Sequence, residues 1–497
     1  MKKNLSNSRR NFLRNAAVIG AGVTIVPRHV LGKGFVAPSD KLNIAGIGVG
    51  GKGTSDLYEF AFMKSPNKDL KGNYPYIRNE RVNIVALCDV DDREAKTSRE
   101  RFPKANYYKD FREMLEKEKN NIDACSISTP DHTHGVATLA AMQLGKHVYT
   151  QKPLTHDIYE ARILTQAAKK YKVVTQMGNQ GASGDGVRRT KEIVKSGLIG
   201  DVYEVHAWTN RPIWPQGVPK PTGKHDIPKE LDWNLWQGTA KLDDYNPAYV
   251  PFNWRGFWAY GTGALGDMAC HVMDPIYRIL PILYPESAEC CITDQWTGMN
   301  QEANFNASCP MSSIIHLVYP RTDNKGKIKV SWYDGGLMPQ RPDELLPDEP
   351  MGNWDGGCLF IGTKGKLLMD CYGMNPRLLP TKLMKTTKLP KETIKRVPGG
   401  MGGHYQQWVN ACFAGYGNAE VSSPFEYAGP FTESILMGNL AIRSAMYLDP
   451  KISGWGKTKY VGRKKLLWDA ANMRVTNFDA ANEFVKREYR DGWNLTL

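Results

Sequence analysis

The 497-residue chain predicts an α/β protein: an open parallel sheet with helices on both faces, followed by a second α/β unit. Three observations carry that expectation. Strand-like and helix-like segments alternate from residue 41 to residue 181. A glycine-rich turn, GVGGKG (48–53), joins the first of those strands to the first helix. From GDVYEVHAW (200–208) the alternation gives way to strands separated by long loops. The length exceeds what one core supports, and the composition, 41% apolar and 23% charged, is that of a globular protein.

The chain opens on a basic segment. Lys2, Lys3, Arg9, Arg10, Arg14, Arg28 and Lys33 all fall in the first 33 residues and supply half of the net charge of +14. SRRNFLR (8–14) is a twin-arginine pattern, and the apolar run Ala16 to Val26 that follows is too short to span a membrane stably. Residues 1–34 therefore read as an export signal, which places the protein in the periplasm by the twin-arginine route. The remaining charge forms no long basic run or aromatic-basic strip, so nucleic acid is not an expected partner.

KLNIAGIG (41–48) reads as a buried strand, and Gly48, Gly50 and Gly53 match G-x-G-x-x-G, with the helix-compatible TSDLYEFAFM behind them. Such glycines allow a tight turn, close approach to a pyrophosphate and helix–strand packing. The helix N-terminus that follows favours the phosphate charge. A second strand, VNIVALCD, ends at Asp89, where a carboxylate would accept from the adenosine ribose hydroxyls and oppose a 2′-phosphate. NAD is thus expected over NADP. The usual spacing is lengthened by NKDLKGNYPYIRNE (67–80), which reads as a loop insertion, and Asp91 and Asp92 read as solvated. FREMLEKE (111–118) is a helix and NIDACSIST (121–129) a strand. The turn PDHTH, in which His132 and His134 either reach the nicotinamide or serve the turn, leads to the helix GVATLAAMQLG (135–145). The strand KHVYTQKPL, the helix DIYEARILTQAAKKY (157–171) and the strand in VVTQMGNQG complete a Rossmann dinucleotide-binding domain over 41–178.

GTGALGDMACHVMD (261–274) sets Asp267 and His271 four residues apart, on one face of a helix. On that stretch alone, the pair is either a charged pair on a surface helix or an acid/base device. Asp274, followed by Pro275, extends the same face and also suits the start of a new helix.

GVGGKG, ISTPDHTH, YTQKPL, the GNQ stretch and this Asp-x-x-x-His together resemble the Gfo/Idh/MocA oxidoreductase family across residues 41–275. The ending through LLWDAANMR resembles the family's exported bacterial members. The resemblance implies a second α/β domain (179–450) with a large, mainly antiparallel sheet that forms oligomer interfaces, and hence a homodimer or homotetramer. Residues 451–497 are then an extension packed on that core. The family's Glu-Lys-Pro motif stands here as Gln151-Lys152-Pro153, retaining the lysine and losing a charge. The resemblance makes Lys152, Asp267 and His271 the catalytic set. Histidine suits removal of a hydroxyl proton near neutral pH, and Lys152 suits stabilisation of alkoxide charge. Gly48, Gly50, Gly53, Asp89, Thr129, Pro130, His132, Gln151 and Lys152 would hold the dinucleotide.

In FNWRGFWAYG (252–261), Trp254, Arg255 and Trp258 precede the catalytic stretch. Aromatic rings stack on pyranose faces and arginine grips hydroxyls, so these three are the substrate candidates, although loop packing alone also accounts for tryptophans there. The nine cysteines show no C-x-x-C and no dense ligand set appears, so neither a disulfide framework nor a metal is expected. The leading expectation is NAD-dependent oxidation of a ring hydroxyl, at C3 for example, of a sugar or glycoside. An exported enzyme meets no pool of free NAD, so the cofactor is expected to be tightly bound. Two other readings stand beside it. One is an NAD-dependent glycosidase that oxidises transiently and eliminates; the other is a non-catalytic nucleotide- or carbohydrate-binding protein.

Overall fold

The computed structural model describes residues 40–497 apart from 66, 69, 70, 72–74, 304, 450 and 453–459. The twin-arginine segment lies outside the described residues.

The first unit alternates strand and helix: β1 (Leu42–Ile47), α1 (Gly51–Ala61), β2 (Val82–Cys88), α2 (Asp92–Arg101), β3 (Asn106–Tyr108), α3 (Phe111–Glu118), β4 (Ala124–Ile127), α4 (Asp131–Gln143), β5 (His147–Thr150), α5 (Ile158–Tyr171) and β6 (Thr175–Met177). The six strands are parallel, in the order β3-β2-β1-β4-β5-β6. Apolar runs such as LNIAGI form strands because both faces are covered by helices, so all but the half-buried Asn43 near its start are apolar or glycine. Helix starts are marked by their caps. Asp157 accepts from the Glu160 backbone while the Glu160 carboxylate reaches back, a capping box that begins α5.

The second unit is a nine-stranded sheet. Its strands are β7 (Val202–Thr209), β8 (Ser287–Ile292), β9 (Ser313–Pro320), β10 (Lys327–Tyr333), β11 (Gly356–Gly362), β12 (Lys366–Asp370), β13 (Arg377–Leu379), β14 (Leu466–Asp469) and β15 (Arg474–Val475). They run in the order β13-β12-β11-β7-β10-β9-β8-β14-β15, and only the β7–β10 pair is parallel. This is the large, mainly antiparallel sheet that the motifs imply. Three helices matter for the site: α6 (Gly263–Val272), α7 (His404–Ala414) and α8 (Phe425–Ala445). Nearly all of α8 is buried, because it lies between α5 and the second sheet. Arg162 of α5 pairs with Glu433 of α8 at 2.7 Å. Among the described residues, no helix is long and apolar enough to cross a membrane.

Three local readings need correction. PDHTH is not a turn: α4 begins at Asp131, with Pro130 as its N-cap, so the histidines occupy its first turn. Asp91 is 5% exposed rather than solvated, because it caps α2 and pairs with Arg93. The insertion before β2 is not wholly loop, since Tyr76–Arg78 pairs with Phe62–Lys64. Of the two readings of Asp274, the start of a new helix holds: it opens the short helix Asp274–Ile279 and is buried under Arg278, Tyr427 and Asn179, which makes it a packing group.

The units also interlock more than a division at residue 178 suggests. Helix α7 packs Trp408 and Tyr405 against Phe60 and Tyr149 of the first unit, with Phe60 and Trp408 ring centroids 5.0 Å apart. The last residues add β14 to the second sheet and then return to the first unit, where Arg487 pairs with Glu160 at 2.6 Å.

Candidate active site

A crevice of about 570 Å³ opens at the carboxyl ends of the parallel strands, the place where an open α/β sheet receives its ligand. Its floor is the turn after β1. Gly48 has φ +74°, and a Cβ there would stand 2.7 Å from the Thr129 backbone nitrogen. A Cβ on Gly53 would stand 1.9 Å from the Gly48 carbonyl oxygen, so α1 can approach the turn only without a side chain at that position. Asp89, at the end of β2, accepts from the Val49 and Gly50 amides at 2.8 and 3.0 Å. Burial raises its carboxyl to about 6 against the pull of those amides.

Under the turn lies a buried polar cluster. Asp56, on α1, pairs with Lys52 and accepts from Ser128 Oγ at 2.8 Å and Gln151 Nε2 at 2.9 Å. Lys52 also donates to Tyr405 Oη at 2.8 Å. This arrangement explains why the chain carries Gln at 151. A glutamate there would set a second carboxylate against buried Asp56, and like charges at that range disfavour each other. Gln151→Glu is expected to cost about 1–3 kcal/mol of folding stability, read as a lowered urea midpoint. Adding Asp56→Asn should restore most of the loss. A single variant as stable as the parent would sink this explanation.

The other end of the crevice holds the predicted catalytic residues. Lys152 Nζ lies 2.6 Å from Asp267 Oδ1 and donates to the Asp267 carbonyl at 2.8 Å. Arg255 approaches the same carboxylate at 3.5 Å. Burial alone would raise Asp267, but Lys152 and Arg255 hold its carboxyl down at about 2. His271, one helical turn on, is 4% exposed, packs against Tyr372 with centroids 4.7 Å apart, and has no partner at Nδ1. Burial, followed by the charge of Lys152, pushes its pKa well below the ordinary histidine value, so the ring is neutral near pH 7. Lys152 and Asp267 line the crevice; His271 lies behind them on α6 and is not part of its wall.

The remaining candidates divide. Thr129, Pro130 and Gln151 line the crevice beside Gly48, Gly50 and Asp89, and Trp254 and Arg255 form part of its far wall. Gly53 acts from beneath, through packing. His132 is fully buried, bonded through Nε2 to the Trp236 carbonyl at 3.0 Å, and burial lowers its pKa to about 3. Trp258 stands away from the crevice, against Arg443. His134 bridges the Pro153 and Thr129 carbonyls at 2.8 Å each, which ties the end of β5 to the end of β4.

Several wall or support residues escaped the sequence. Lys52 and Asp56 were legible only as an i, i+4 ion pair. Asp131 accepts from the Thr262 amide and hydroxyl at 3.1 and 2.6 Å, and so fixes the start of α6 from α4. Trp236 and Trp493 line the crevice, and no local pattern marks either. Among the described residues, no group of three or more His, Cys, Asp or Glu is placed to hold a metal.

The residues present fit a dinucleotide: a turn with no room for Cβ atoms, an acid at the end of β2, and a lysine at the opposite end. The crevice is also within the usual range for small-molecule sites. Comparison with known proteins agrees. Residues 42–179 match the family model described as "Oxidoreductase family, NAD-binding Rossmann fold", and residues 183–284 match its C-terminal alpha/beta domain. The chain is 24% identical over 189 residues to the levoglucosan dehydrogenase of Pseudarthrobacter phenanthrenivorans, covering 38% of this chain and 40% of that one. It is 26% identical over 225 residues to the alpha-N-acetylgalactosaminidase of Shewanella oneidensis, covering 40% and 45%. The chain thus spans less than half the length of these curated relatives. Among solved structures, the WlbA dehydrogenase of Bordetella pertussis in complex with NADH and UDP-GlcNAcA superposes with TM-score 0.52 at 16% identity, covering 81% of this chain and 97% of that one. Levoglucosan dehydrogenase in complex with NADH gives 0.51 at 17% identity, covering 81% and 96%. At these identities, the two structures share the fold.

Proposed function

We propose that the chain, whose residues 42–179 and 183–284 match the two domain models of the Gfo/Idh/MocA oxidoreductase family, oxidises a ring hydroxyl of a sugar or glycoside, C3 being one candidate position. The observation that carries the proposal is the Lys152–Asp267–Arg255 cluster in the same crevice as the glycine turn. A bound nicotinamide supplies the hydride acceptor. The chain's own residues do the rest. Lys152 presents an ammonium to the oxygen that becomes an alkoxide, which is electrostatic stabilisation at the point where charge develops. Asp267 fixes that ammonium and stays ionised across the neutral range. His271, neutral and one helical turn behind Asp267, is the group proposed to accept the hydroxyl proton. Trp254 lines the crevice beneath the Arg255 guanidinium, which lies 4.3 Å from its ring centre, and Arg255 offers donors to the substrate hydroxyls. Relatives named for levoglucosan and for N-acetylgalactosamine support a carbohydrate substrate.

The similarity to an alpha-N-acetylgalactosaminidase and to glycosyl hydrolase family 109 proteins favours a second reading, transient oxidation followed by elimination of an aglycone. One assay separates the two. The purified protein is incubated with a panel of free sugars and aryl glycosides, and products and nucleotide are followed by mass and by absorbance. A keto-sugar with reduced nucleotide supports net oxidation. A freed aglycone with no net redox change supports the glycosidase. A protein that binds the sugars but turns over none of them would be a binding protein.

The cofactor is proposed to be NAD, on the strength of Asp89. Binding of NAD should exceed that of NADP by at least about tenfold at pH 8 and fixed ionic strength, because like charges set together are costly. With its carboxyl at about 6, Asp89 is ionised above that value and neutral below it, so the preference should shrink as the pH falls through 6. A clear preference for NADP at pH 8 would overturn this assignment.

SRRNFLR supports export to the periplasm with the nucleotide already bound, which cell fractionation would test. Ile314, His316 and Val318, on the face of β9 turned from the core, are only partly covered. They support a homo-oligomer formed through the second sheet, which light scattering would test.

A further inference from the structure

The crevice has two ends, and only one carries catalytic residues. Asp89, at the end of β2, marks the adenosine side of a Rossmann site, while Lys152 and Asp267 mark the other. Beyond Asp89 the wall is made by Phe111, at the start of α3, and by Trp493, four residues from the last residue in the sequence. The two rings stand 6.0 Å apart between centroids, and the Arg112 guanidinium lies 4.5 Å from the Trp493 ring centre.

Trp493 is held there from both sides. Before it, Arg487 pairs with Glu160 at 2.6 Å and Asp157 at 3.4 Å, and Arg490 donates to the Asn234 carbonyl at 2.6 Å. The Trp493 amide donates to the Arg490 carbonyl at 3.2 Å. After it, the Thr496 carbonyl accepts from Gln143 Nε2 of α4 at 2.7 Å. These bonds tie the segment to α4, α5 and the 233–237 helix, and they place the Trp493 ring, with the Arg490 guanidinium 5.8 Å from its centre, at the adenosine end of the crevice.

We propose that the adenine ring of the bound dinucleotide stacks on Trp493, so that the C-terminal segment is part of the cofactor site. The proposal rests on the dinucleotide reading of the crevice. Purines stack well on indole, and the interaction depends on a π-face rather than on burial alone. A wall built from residues outside the nucleotide-binding unit also slows release, because the nucleotide must leave past an anchored segment.

The test uses the full chain, dialysed free of carried nucleotide, with calorimetric binding of three probes: NADH, AMP and nicotinamide mononucleotide. Trp493→Leu keeps the apolar volume and removes the π-face. It should weaken NADH and AMP by the same factor, about 5- to 100-fold, the range of base–aromatic stacking. Nicotinamide mononucleotide, which lacks the adenine, should stay within about threefold of the parent, and Trp493→Phe should restore most of the AMP affinity. AMP binding to Trp493→Leu within twofold of the parent would overturn the proposal, as would an equal loss of nicotinamide mononucleotide. A parent chain that binds neither NADH nor AMP would overturn the dinucleotide reading and this proposal with it.

Discussion

His271→Ala is expected to lower turnover by about 100- to 10,000-fold, the contribution of a positioned acid/base group, with NADH affinity left within about threefold. The split follows from place. The imidazole sits on α6 behind the Lys152–Asp267 pair, away from the glycine turn and from the adenosine end of the crevice. Its pH signature follows from its surroundings. Burial and the Lys152 charge keep it neutral well below the ordinary histidine value, so the acid limb of the parent's kcat/KM profile should fall below about pH 6.5 rather than at it. Turnover of the variant within about threefold of the parent would remove His271 from the mechanism. An acid limb centred at 6.5 would contradict its buried, neutral state.

Lys152→Ala should cost about 100- to 1,000-fold in turnover, the scale seen when one preorganised charge-stabilising donor is removed. It should also change how stability depends on pH. In the parent, the Asp267 carboxyl is depressed to about 2 from an unfolded value near 3.9. Its contribution is therefore fully present above pH 4 and is lost as the pH falls toward 2. Without Lys152, burial outweighs the remaining charge of Arg255 and the carboxyl rises. The loss of stability on acidification then begins at a higher pH than in the parent. Urea midpoints measured from pH 3 to pH 8 give the comparison. Superimposable stability profiles would show that the pair is not coupled as the 2.6 Å contact requires.

The sequence made the parallel sheet legible because each of its signals is local. An apolar run, a glycine turn and an amphipathic helix each state their own conformation, and α3 runs over the residues its pattern marks, Phe111–Glu118. PDHTH misled because its proline and paired histidines look like turn chemistry. Yet Pro130 is a good residue just before a helix, and the Asp131 carboxylate is consumed by Thr262, 131 residues away. Lys152, Asp267 and Arg255 were legible as individuals, and the contacts that join them are long-range. His132 and Trp258 were read as site residues from nearness in sequence. Burial turned both into the packing around the site, since a histidine whose ring nitrogen bonds a core carbonyl has no reach to a ligand. Trp493 carried no signal at all, because its position depends on Arg487 and Arg490 finding partners more than 200 residues upstream.

Helix α7 bears on how this protein can be recombined. It comes from the second half of the chain, yet Trp408 and Tyr405 complete the packing around Phe60 and Tyr149, and Gln406 caps the carbonyls at the end of α1. The nucleotide-binding unit is therefore not a portable cassette. A chimaera that joins residues 41–178 to another substrate domain would leave that aromatic cluster open to water unless the new partner brought its own equivalent of α7. Shuffling among relatives should accordingly inherit the 404–414 stretch from the same parent as α1.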